Sequence, residues 1–554
     1  MKPVRIKIFC PACQYEEEYT HPMIECPACG HTYLNARYEI EGDLPWPEAL
    51  KGRPGTMWRF RELLPLHNDV NIVSMGEGGT PLIHSQNLGA MLGLKHLYIK
   101  DERQGPTGSF KDRQASLAIS TMREMGINEA VIASTGNVAI AYSAYAARAG
   151  IKLWAFIISS VPPEKMREVT IYGTELIKVT GTYNQVKQVA ARFAKSKGLF
   201  VDRGIRSIAA KESMKTIAFE IAEQLGEIYG PSPGGAPWRT PDWYIQAVSG
   251  GLGPVGIMKA FRELEAFGLS EGLPKLGNIQ SSGCDPMVRS FHAGEEEASP
   301  ILNPQTRIAT VATDVPGIAY KLLRQDVLEH GGAFESVSDE EAYRALKTIA
   351  RLEGLSVEPA TALAFAGLFK LVRQKAIDPD EIVVINCTGH TFPVEKHILG
   401  GDLGRDVDVR PAARADIPRE GLLTALEAVD RNINRVLVIE DDPAAAQLMK
   451  RILRAHGVKE VFQASDGRAG LEMVRRTRPD LIVLDLMMPG VDGFGVLDRL
   501  KKDQALSNVP VIVVTAKDLT AEERRRLSTQ VEGLLQKGSF IDETVLEDLL
   551  NRLG

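Results

Sequence analysis

Strand-sized apolar segments alternate with helical segments along most of this 554-residue chain, which restricts the fold to a few α/β architectures. The alternation runs over about residues 53–399 and restarts at smaller scale at residue 435. Because a strand, a crossover helix and a second strand join as a parallel unit, the pattern predicts open parallel α/β sheets. The chain is too long for one hydrophobic core, so we expect two to four domains.

Changes in composition mark the predicted domain boundaries. Residues 1–40 carry two cysteine pairs, residues 41–400 the longer alternation and residues 434–554 the shorter one. Between the last two, the segment 401–433 opens with a stretch rich in Gly, Asp, Arg and Pro, which indicates a linker. A helix is predicted over residues 421–432 of that segment.

Charge and hydropathy exclude several classes of function. The chain is 44% hydrophobic and 25% charged, which is typical of soluble globular proteins. Its net charge of -6 provides no basic field that would attract nucleic acid or anionic lipid. The longest apolar runs have the length of strands, and no secretory signal pattern opens the chain. We therefore expect a cytoplasmic protein that binds neither nucleic acid nor membrane.

Two Cys-Pro-Ala-Cys turns lie within the first 30 residues and are separated by twelve residues. They contribute Cys10, Cys13, Cys26 and Cys29, and four thiolates are the number that a closed structural zinc site takes. Two disulfides or free thiols are the alternative, and they fit a cytoplasmic chain less well. The pattern resembles a zinc ribbon, which we expect to serve local folding or docking.

Lys111 follows a loop of Gly, Pro, Thr and Ser at 105–110 and precedes an Ala-rich helical run at 115–125. A lysine held at such a junction can act as a Schiff-base nucleophile. The alternative is a solvated lysine in the first turn of a helix. The choice between them depends on other segments of the chain.

A glycine-rich segment at 249–256 follows an apolar strand at 243–248 and precedes a helix at 257–264. Glycines at this position let backbone N–H groups converge on an anion at the helix N-terminus. An ordinary tight turn is the alternative. The segment does not match the dinucleotide fingerprint well, because it lies in mid-chain and no ribose-binding acid is evident about 20 residues later.

Two more loops follow predicted strands. Ser134, Thr135 and Asn137 close the strand at 130–133, and their polar groups could hold a substrate carboxylate or cap the next helix. Asn137 could also bond the phenolic oxygen of pyridoxal phosphate (PLP), and Thr388, after the strand at 382–386, could face its pyridine nitrogen. An amine, a phosphate nest and a pyridine partner are what a PLP site requires. A hydroxyl at the nitrogen favours elimination and replacement over transamination.

The order of the motifs SFKD (109–112), STGN (134–137), SGGLG (249–253) and CTGH (387–390) resembles the fold-type II PLP enzymes, and among them the threonine synthases. The segments 212–220 and 353–362 resemble the lysine–threonine helix start and the EG…EPA segment of that family. The resemblance spans about residues 50–395. It implies two open α/β subdomains that close over the substrate.

The resemblance also implies roles for individual residues. Lys111 would bond PLP and then move protons at the substrate α and β carbons, while Asn137 would contact the ring oxygen and Thr388 the pyridine nitrogen. The phosphate would lie on Ser249, Gly250, Gly251, Leu252 and Gly253. The family reaction converts O-phospho-L-homoserine and water into L-threonine and phosphate, so we expect a small amino-acid substrate. Relatives of this type are commonly dimers, and a homodimer is expected.

A substrate phosphate needs cationic or N–H donors of its own. Lys215 with Thr216, and also Ser109, are the candidates, although Lys215 could equally be a solvated lysine at a helix start. Ser213 and the approach through residues 209–211 depart from the glycine and asparagine that threonine synthases commonly carry there. Two alternatives therefore stay open: a serine/threonine dehydratase or β-replacement enzyme, and a metabolite sensor without turnover.

The last 120 residues place acidic, hydroxyl and lysine side chains at the ends of four predicted strands: Glu440 with Asp441, then Asp485, Thr515 and Lys537. In an open α/β sheet this edge binds ligands. Clustered carboxylates there favour a hard cation such as Mg²⁺. Each residue taken alone could be an ordinary solvated strand end.

This module, residues 435–554, resembles a response-regulator receiver domain with a flavodoxin-like (βα)5 fold. The resemblance makes Asp485 the phosphoacceptor, Glu440 and Asp441 the acidic metal pair, Thr515 the switch hydroxyl and Lys537 the phosphate-contacting cation. It implies a histidine kinase or phosphotransfer partner, and phosphorylation that could regulate the PLP domain. Two departures from the receiver pattern affect how phosphorylation would be transmitted to the rest of the protein. Leu534 replaces a common switch aromatic, and Gly538 replaces the usual proline.

Overall fold

The computed structural model describes residues 4–40, 44, 46–134, 136–159, 161–390, 405–408, 433–455, 458–503, 506–507, 509–515, 523, 527, 530–531 and 533–536. They fall into two compact units, Met1–Asp406 and Val407–Gly554. None of the helices in these ranges combines the length and apolar character that a membrane crossing requires. The helix predicted over 421–432 lies outside the described residues.

The elements are as follows in chain order. The strands are β1 (Arg5–Phe9), β2 (Glu16–Glu18), β3 (Asn35–Glu39), β4 (Leu82–His84), β5 (His96–Asp101), β6 (Glu129–Ser134), β7 (Lys152–Ile158), β8 (Glu175–Thr180), β9 (Phe200–Asp202), β10 (Trp243–Ala247), β11 (Lys275–Ser281), β12 (Gly332–Val337), β13 (Ile382–Cys387), β14 (Arg405–Asp408), β15 (Arg435–Ile439), β16 (Glu460–Ala464), β17 (Leu481–Leu484), β18 (Val511–Thr515) and β19 (Gly533–Gln536). The α-helices are α1 (Gln86–Leu92), α2 (Lys111–Glu124), α3 (Asn137–Ala149), α4 (Pro163–Ile171), α5 (Tyr183–Lys197), α6 (Ile208–Tyr229), α7 (Leu252–Ala266), α8 (Pro286–His292), α9 (Ile318–His330), α10 (Asp339–Glu353), α11 (Pro359–Arg373), α12 (Pro443–Ala455), α13 (Gly467–Thr477) and α14 (Gly493–Lys502).

The N-terminal cysteine segment forms an antiparallel sheet in the order β2-β1-β3. Ile6 and Ile8, alternate residues of β1, are buried in the same hydrophobic core as α6 and α7. The Tyr38 hydroxyl on β3 donates to Glu212 Oε2 of α6 at 2.8 Å. The segment therefore docks on the larger fold and shares its core.

The large subdomain is built on a six-stranded sheet in the order β12-β11-β10-β13-β5-β4. The first five strands are parallel, and β4 runs antiparallel to β5 at the edge. One face of the sheet packs through Tyr244 and Val384 against the core that holds α6 and α7. The other face packs through Ile245 and Ile385 against α11. Helices on both faces explain why the four inner strands β5, β10, β11 and β13 consist almost entirely of buried residues.

The small subdomain has a sheet in the order β14-β8-β7-β6-β9, flanked by helices such as α3 and α5. The start of α5 is set by local chemistry: Thr182 and Gln185 form a capping box that satisfies two helix-end N–H groups. Residues 405–408 lie in the segment predicted to be a linker, yet they form β14. Without β14, β8 would be the edge strand of this sheet, and an edge strand can accept another strand through backbone groups alone, which side-chain composition does not reveal.

The second unit contains a parallel sheet in the order β16-β15-β17-β18-β19. Numbered within the unit, this order is 2-1-3-4-5, the flavodoxin-like order. Both faces of the sheet are covered by apolar side chains: Leu437 and Ile482 on one face, and Val438 and Val483 on the other. The predicted fold class is confirmed for both units.

A buried network of charges joins α2, α6 and the end of β5. Arg113 pairs with Glu102 at 2.8 Å and with Glu220 at 2.6 Å, and Lys100 pairs with Glu220 at 2.8 Å. All four side chains are at most 2% exposed. Burial alone would raise the pKa of Glu220, but the adjacent Arg113 and Lys100 hold it well below its ordinary value. The network fixes α2, whose first residue is Lys111.

We predict that Arg113→Met lowers the free energy of unfolding of the first unit by about 3–5 kcal/mol, because it removes the cation paired with buried Glu102 and leaves buried Glu220 with Lys100 alone. Tryptophan fluorescence during chemical denaturation measures this unit alone, since all 5 tryptophans lie at or before position 243. Arg123→Met is the control: Arg123 is exposed in the last turn of the same helix and should cost no more than about 0.5 kcal/mol. Equal effects of the two variants would contradict the prediction.

Candidate active site

A cavity of about 600 Å³, including its open mouth, lies between the two subdomains of the first unit. Its wall is formed where β10 and β13 end and where α2, α3, α7 and α11 begin. All eight residues predicted to hold the cofactor line it: Lys111, Asn137, Ser249, Gly250, Gly251, Leu252, Gly253 and Thr388. The fold thus brings together four segments that are far apart in sequence.

Lys111 begins α2 and points its Nζ atom toward Gln114, to whose Oε1 atom it donates at 3.2 Å. The same Nζ lies 4.1 Å from the centre of the Phe110 ring. Burial lowers the pKa of Lys111 to about 8, and the charge of Glu358 opposes that shift only in part. A large share of this amine is therefore neutral slightly above neutral pH, as a nucleophile requires.

The glycine segment forms an open cradle at the start of α7. A Cβ atom at Gly250 would meet nothing within 4 Å, so this position faces empty space. Gly251 caps α7 with φ +78°, a backbone conformation that favours glycine. A Cβ atom at Gly253 would lie 2.5 Å from Gln246 Nε2, so a side chain there would require Gln246 to move. The first N–H groups of a helix have no acceptor within it, so the cradle fits a phosphate.

Thr388 supplies an uncharged hydroxyl to the cavity wall. Its Oγ1 atom lies 2.8 Å from Oγ1 of Thr361, and both residues are buried. The Phe110 N–H donates to the Thr388 carbonyl oxygen at 3.0 Å, which joins the Lys111 loop to the end of β13. A neutral hydroxyl suits an unprotonated pyridine nitrogen.

Two residues at this site were not predicted as site residues: Glu358, which lines the cavity, and Lys165, which contacts two residues of its wall. Glu358 lines the cavity and accepts from Asn137 Nδ2 at 2.9 and 3.0 Å. Lys165 of α4 bonds Glu358 Oε2 at 2.9 Å and also donates to Asn137 Oδ1. Glu358 was noticed only within the EPA segment, whereas Lys165 lies in an ordinary helix and carries no local signal. A Cβ atom at Gly389 would lie 2.6 Å from Glu358 Oε1, so a side chain at position 389 would require this carboxylate to move.

The structure does not bring Lys215 and Thr216 to the cavity. Lys215 is fully buried and pairs with Glu212 and Glu263, each at 2.7 Å. Thr216 is buried beside Arg113, whose Nη1 donates to its hydroxyl at 3.1 Å. The reason is that most of α6 lies in the core between the N-terminal segment and α7, so its lysine must be neutralised internally.

Of the remaining residues predicted to bind substrate, Ser134 and Ser109 form contacts that stabilise the local backbone. The Ser134 hydroxyl accepts from the N–H groups of Gly136 and Ala139, both at 3.0 Å, and so stabilises the start of α3. Ser109 is buried and forms a β-bridge with Gly389. Thr135 lies outside the described residues.

The four N-terminal cysteines converge. Sγ atoms of Cys10 and Cys29 lie 3.7 Å apart, and those of Cys13 and Cys26 lie 3.6 Å apart. These distances exclude disulfides, whose sulfurs are about 2.05 Å apart. Tetrahedral zinc with bonds of about 2.3 Å would separate its sulfurs by about 3.8 Å. The arrangement can therefore bind a metal ion.

In the second unit, carboxylate oxygens of Glu440, Asp441 and Asp485 lie within 4.8 Å of one another. Asp485 directly follows β17, and its Oδ1 accepts from the Met487 N–H at 3.1 Å. Thr515 is buried at the end of the neighbouring strand β18. Three carboxylates at a strand edge match the ligand type of Mg²⁺. Lys537, Gly538 and the side chain of Leu534 lie outside the described part of the chain.

Comparison with protein families matches residues 73–389 to "Pyridoxal-phosphate dependent enzyme" and residues 436–549 to "Response regulator receiver domain". The chain belongs to the pyridoxal-phosphate-dependent enzyme family. It carries a C-terminal receiver domain, as the strand-end residues predicted.

Among curated relatives of this PLP-dependent enzyme, the threonine synthase of Methanocaldococcus jannaschii is 35% identical over 69% of this chain and 91% of its own length. That of Methanosarcina acetivorans is 33% identical over 69% and 90%. Among solved structures, the processed form of threonine deaminase isoform 2 from Solanum lycopersicum is 20% identical with a TM-score of 0.47, over 56% of this chain and 84% of that one. The family match and the two sequence identities with threonine synthases confirm the prediction of a threonine-synthase-like PLP-dependent lyase.

The residues of the cavity fit the cofactor of this family. Lys111 offers an amine with a lowered pKa, the start of α7 offers an empty cradle, and Thr388 offers a neutral hydroxyl. When bound, PLP supplies an electron sink for bond breaking at the substrate α carbon.

We predict that the rate of PLP uptake by the cofactor-free protein rises as pH passes through about 8 and levels off above it, because only the neutral Lys111 amine attacks. Lys111→Ala should abolish the covalent attachment of PLP and its visible absorption band. The band and borohydride trapping measure both effects. Lys195→Ala, at an exposed position of α5, is the control. Trapped cofactor in Lys111→Ala would refute the assignment.

Proposed function

We propose that this enzyme converts O-phospho-L-homoserine and water into L-threonine and phosphate. The observation that carries the proposal is the meeting of Lys111, Asn137, the 249–253 cradle and Thr388 in one cavity. The identity of 35% with a threonine synthase, over 91% of that protein's length, supports this choice of substrate.

The residues of this chain would divide the work as follows. The Lys111 amine, with a pKa lowered to about 8, can take up and return protons at the substrate α and β carbons near neutral pH. Asn137 would contact the cofactor ring oxygen and Thr388 the pyridine nitrogen, while the cradle would hold the phosphate of PLP. The loop at 134–137 would hold the substrate carboxylate.

Steady-state assays of the PLP-loaded protein test this proposal. O-Phospho-L-homoserine should give L-threonine and phosphate with a kcat/KM at least about a hundredfold above those of serine, threonine and phosphoserine as substrates, since about 2.7 kcal/mol of discrimination suffices for that factor. Faster release of ammonia from serine or threonine would instead identify a dehydratase. Substrate binding without turnover would identify a sensor.

We further propose two metal sites. Cys10, Cys13, Cys26 and Cys29 would hold a structural zinc ion, and Glu440, Asp441 and Asp485 would hold Mg²⁺. The first proposal is supported by sulfur spacings of 3.6 and 3.7 Å and the second by three clustered carboxylates. The functional divisions would be residues 1–40, 41–400, 401–433 and 434–554, in a cytoplasmic homodimer.

We propose that a histidine kinase or phosphotransfer protein phosphorylates Asp485 and that this modification regulates the PLP-dependent unit. The match to receiver domains over residues 436–549 supports the chemistry. Thr515 lies on the strand beside β17. Its hydroxyl would bind the added phosphoryl group, and Lys537 would contact the same group as a cation.

We predict that beryllofluoride with Mg²⁺ changes kcat, KM or the oligomeric state of the full-length enzyme at least about twofold, because it imitates the phosphorylated aspartate. Kinetics and light scattering measure these quantities. Asp485→Asn should keep the untreated values and lose the response. Unchanged kinetics and assembly in the treated wild-type protein would reject regulation within the chain.

A further inference from the structure

The candidate site lacks an assigned cation for the anionic group of its substrate. The cradle at 249–253 offers backbone N–H groups that the cofactor phosphate would occupy, and Lys111 is committed to the cofactor aldehyde. Lys215 already has two carboxylate partners and no exposure. If the proposed function is correct, we expect a further basic residue at the substrate phosphate, since a dianion is bound most strongly by charged donors.

Lys165 has the required position. Its Nζ atom bonds Glu358 at 2.9 Å and Asn137 Oδ1, and both of these partners line the cavity. Its alkyl chain passes over Gly136, where a Cβ atom would lie 3.3 Å from Lys165 Cδ. The lysine side chain is 21% exposed, whereas its carboxylate partner is 5% exposed. The lysine is therefore the more exposed partner of the pair.

Glu358 has other stabilising contacts if Lys165 leaves it. Asn137 Nδ2 donates to both of its carboxylate oxygens. Glu358 also occupies the N-cap position of the 15-residue helix α11, where the helix dipole favours negative charge, and its side chain forms no capping hydrogen bond there. Lys165, in contrast, is held at its tip by these two groups of the cavity wall. Of the two partners, Lys165 is the one that an incoming anion can recruit.

We propose that Lys165 recognises the phosphate group of the substrate and that Glu358 is its counter-ion before the substrate binds. This inference rests on the proposed function and adds the residue that selects a phosphorylated substrate. The substrate phosphate would take the place of Glu358 at Nζ, and Glu358 would return when phosphate leaves. Because Lys165 lies in the small subdomain and Glu358 in the large one, the exchange would also change the contact between them.

The test compares Lys165→Met with wild type, both loaded with PLP and at full length. Methionine keeps an unbranched stem and removes the charge. The KM for O-phospho-L-homoserine should rise by about tenfold or more with a smaller change in kcat, as expected for loss of one charge-assisted hydrogen bond. Competitive inhibition by inorganic phosphate should weaken by a similar factor. Lys165→Arg should restore part of the affinity for O-phospho-L-homoserine and part of the inhibition by phosphate. Lys195→Met should change neither the KM nor the inhibition by phosphate.

Glu358→Gln separates recognition from a structural role. Removing the competing carboxylate charge should strengthen inhibition by inorganic phosphate, whereas Lys165→Met weakens it. Changes in the same direction for the two variants would indicate a pair that only holds the fold together, and would overturn the proposal. Unchanged KM and phosphate inhibition in Lys165→Met would also overturn it.

Failure of the proposed role of Lys165 can be distinguished from failure of the proposed function. If the wild-type enzyme does not convert O-phospho-L-homoserine, the proposed function fails while the role of Lys165 is still decided by calorimetry with inorganic phosphate. Binding by wild type that is lost in Lys165→Met would support the anion site. Equal binding by the two proteins, or none by wild type, would reject it.

Discussion

The buried ion pairs of Arg113 hold together the part of the fold on which the candidate chemistry depends. A guanidinium group at 1% exposure is tolerable only because Glu102 and Glu220 neutralise it with directed hydrogen bonds. These bonds connect α2, which begins with Lys111, to the long helix α6. The position of the reactive amine is thus set by charges in the interior as well as by the loop that precedes it.

The helix α6 extends this dependence to the N-terminal segment. Its Glu212 binds Tyr38 of β3 and pairs with Lys215 and Lys259, so the helix is held on one side by the cysteine segment and on the other by α7. Tyr38 and α6 also belong to one hydrophobic core. The cysteine segment therefore supports the same helix that anchors Arg113, which explains its place in a chain whose chemistry lies elsewhere.

Sequence patterns predicted those features that depend on local chemistry. Strands such as β7 and β10 are apolar runs of strand length, and the glycines at 250–253 are needed wherever a backbone approaches a ligand. Lys215 was predicted to be solvated or to bind phosphate, but it is buried and paired with two carboxylates. The sequence did not reveal this, because the burial of α6 depends on elements that are distant in sequence. Glu358 and Lys165 meet across two subdomains, and no spacing in the sequence predicts that pairing. The strand β14 depends on backbone hydrogen bonds that composition does not record.

Lys111 and Arg113 are two residues apart on one helix, so their side chains leave the axis about 200° apart, since each residue turns the helix by about 100°. In the first turn of α2, the Lys111 amine therefore faces the cavity. Arg113, on nearly the opposite side of the helix, forms ion pairs in the interior. The spacing of these two residues is consequently as important as their identity. A single inserted residue between them would rotate one out of place by about a quarter turn, so this stretch should tolerate substitution far better than insertion or deletion.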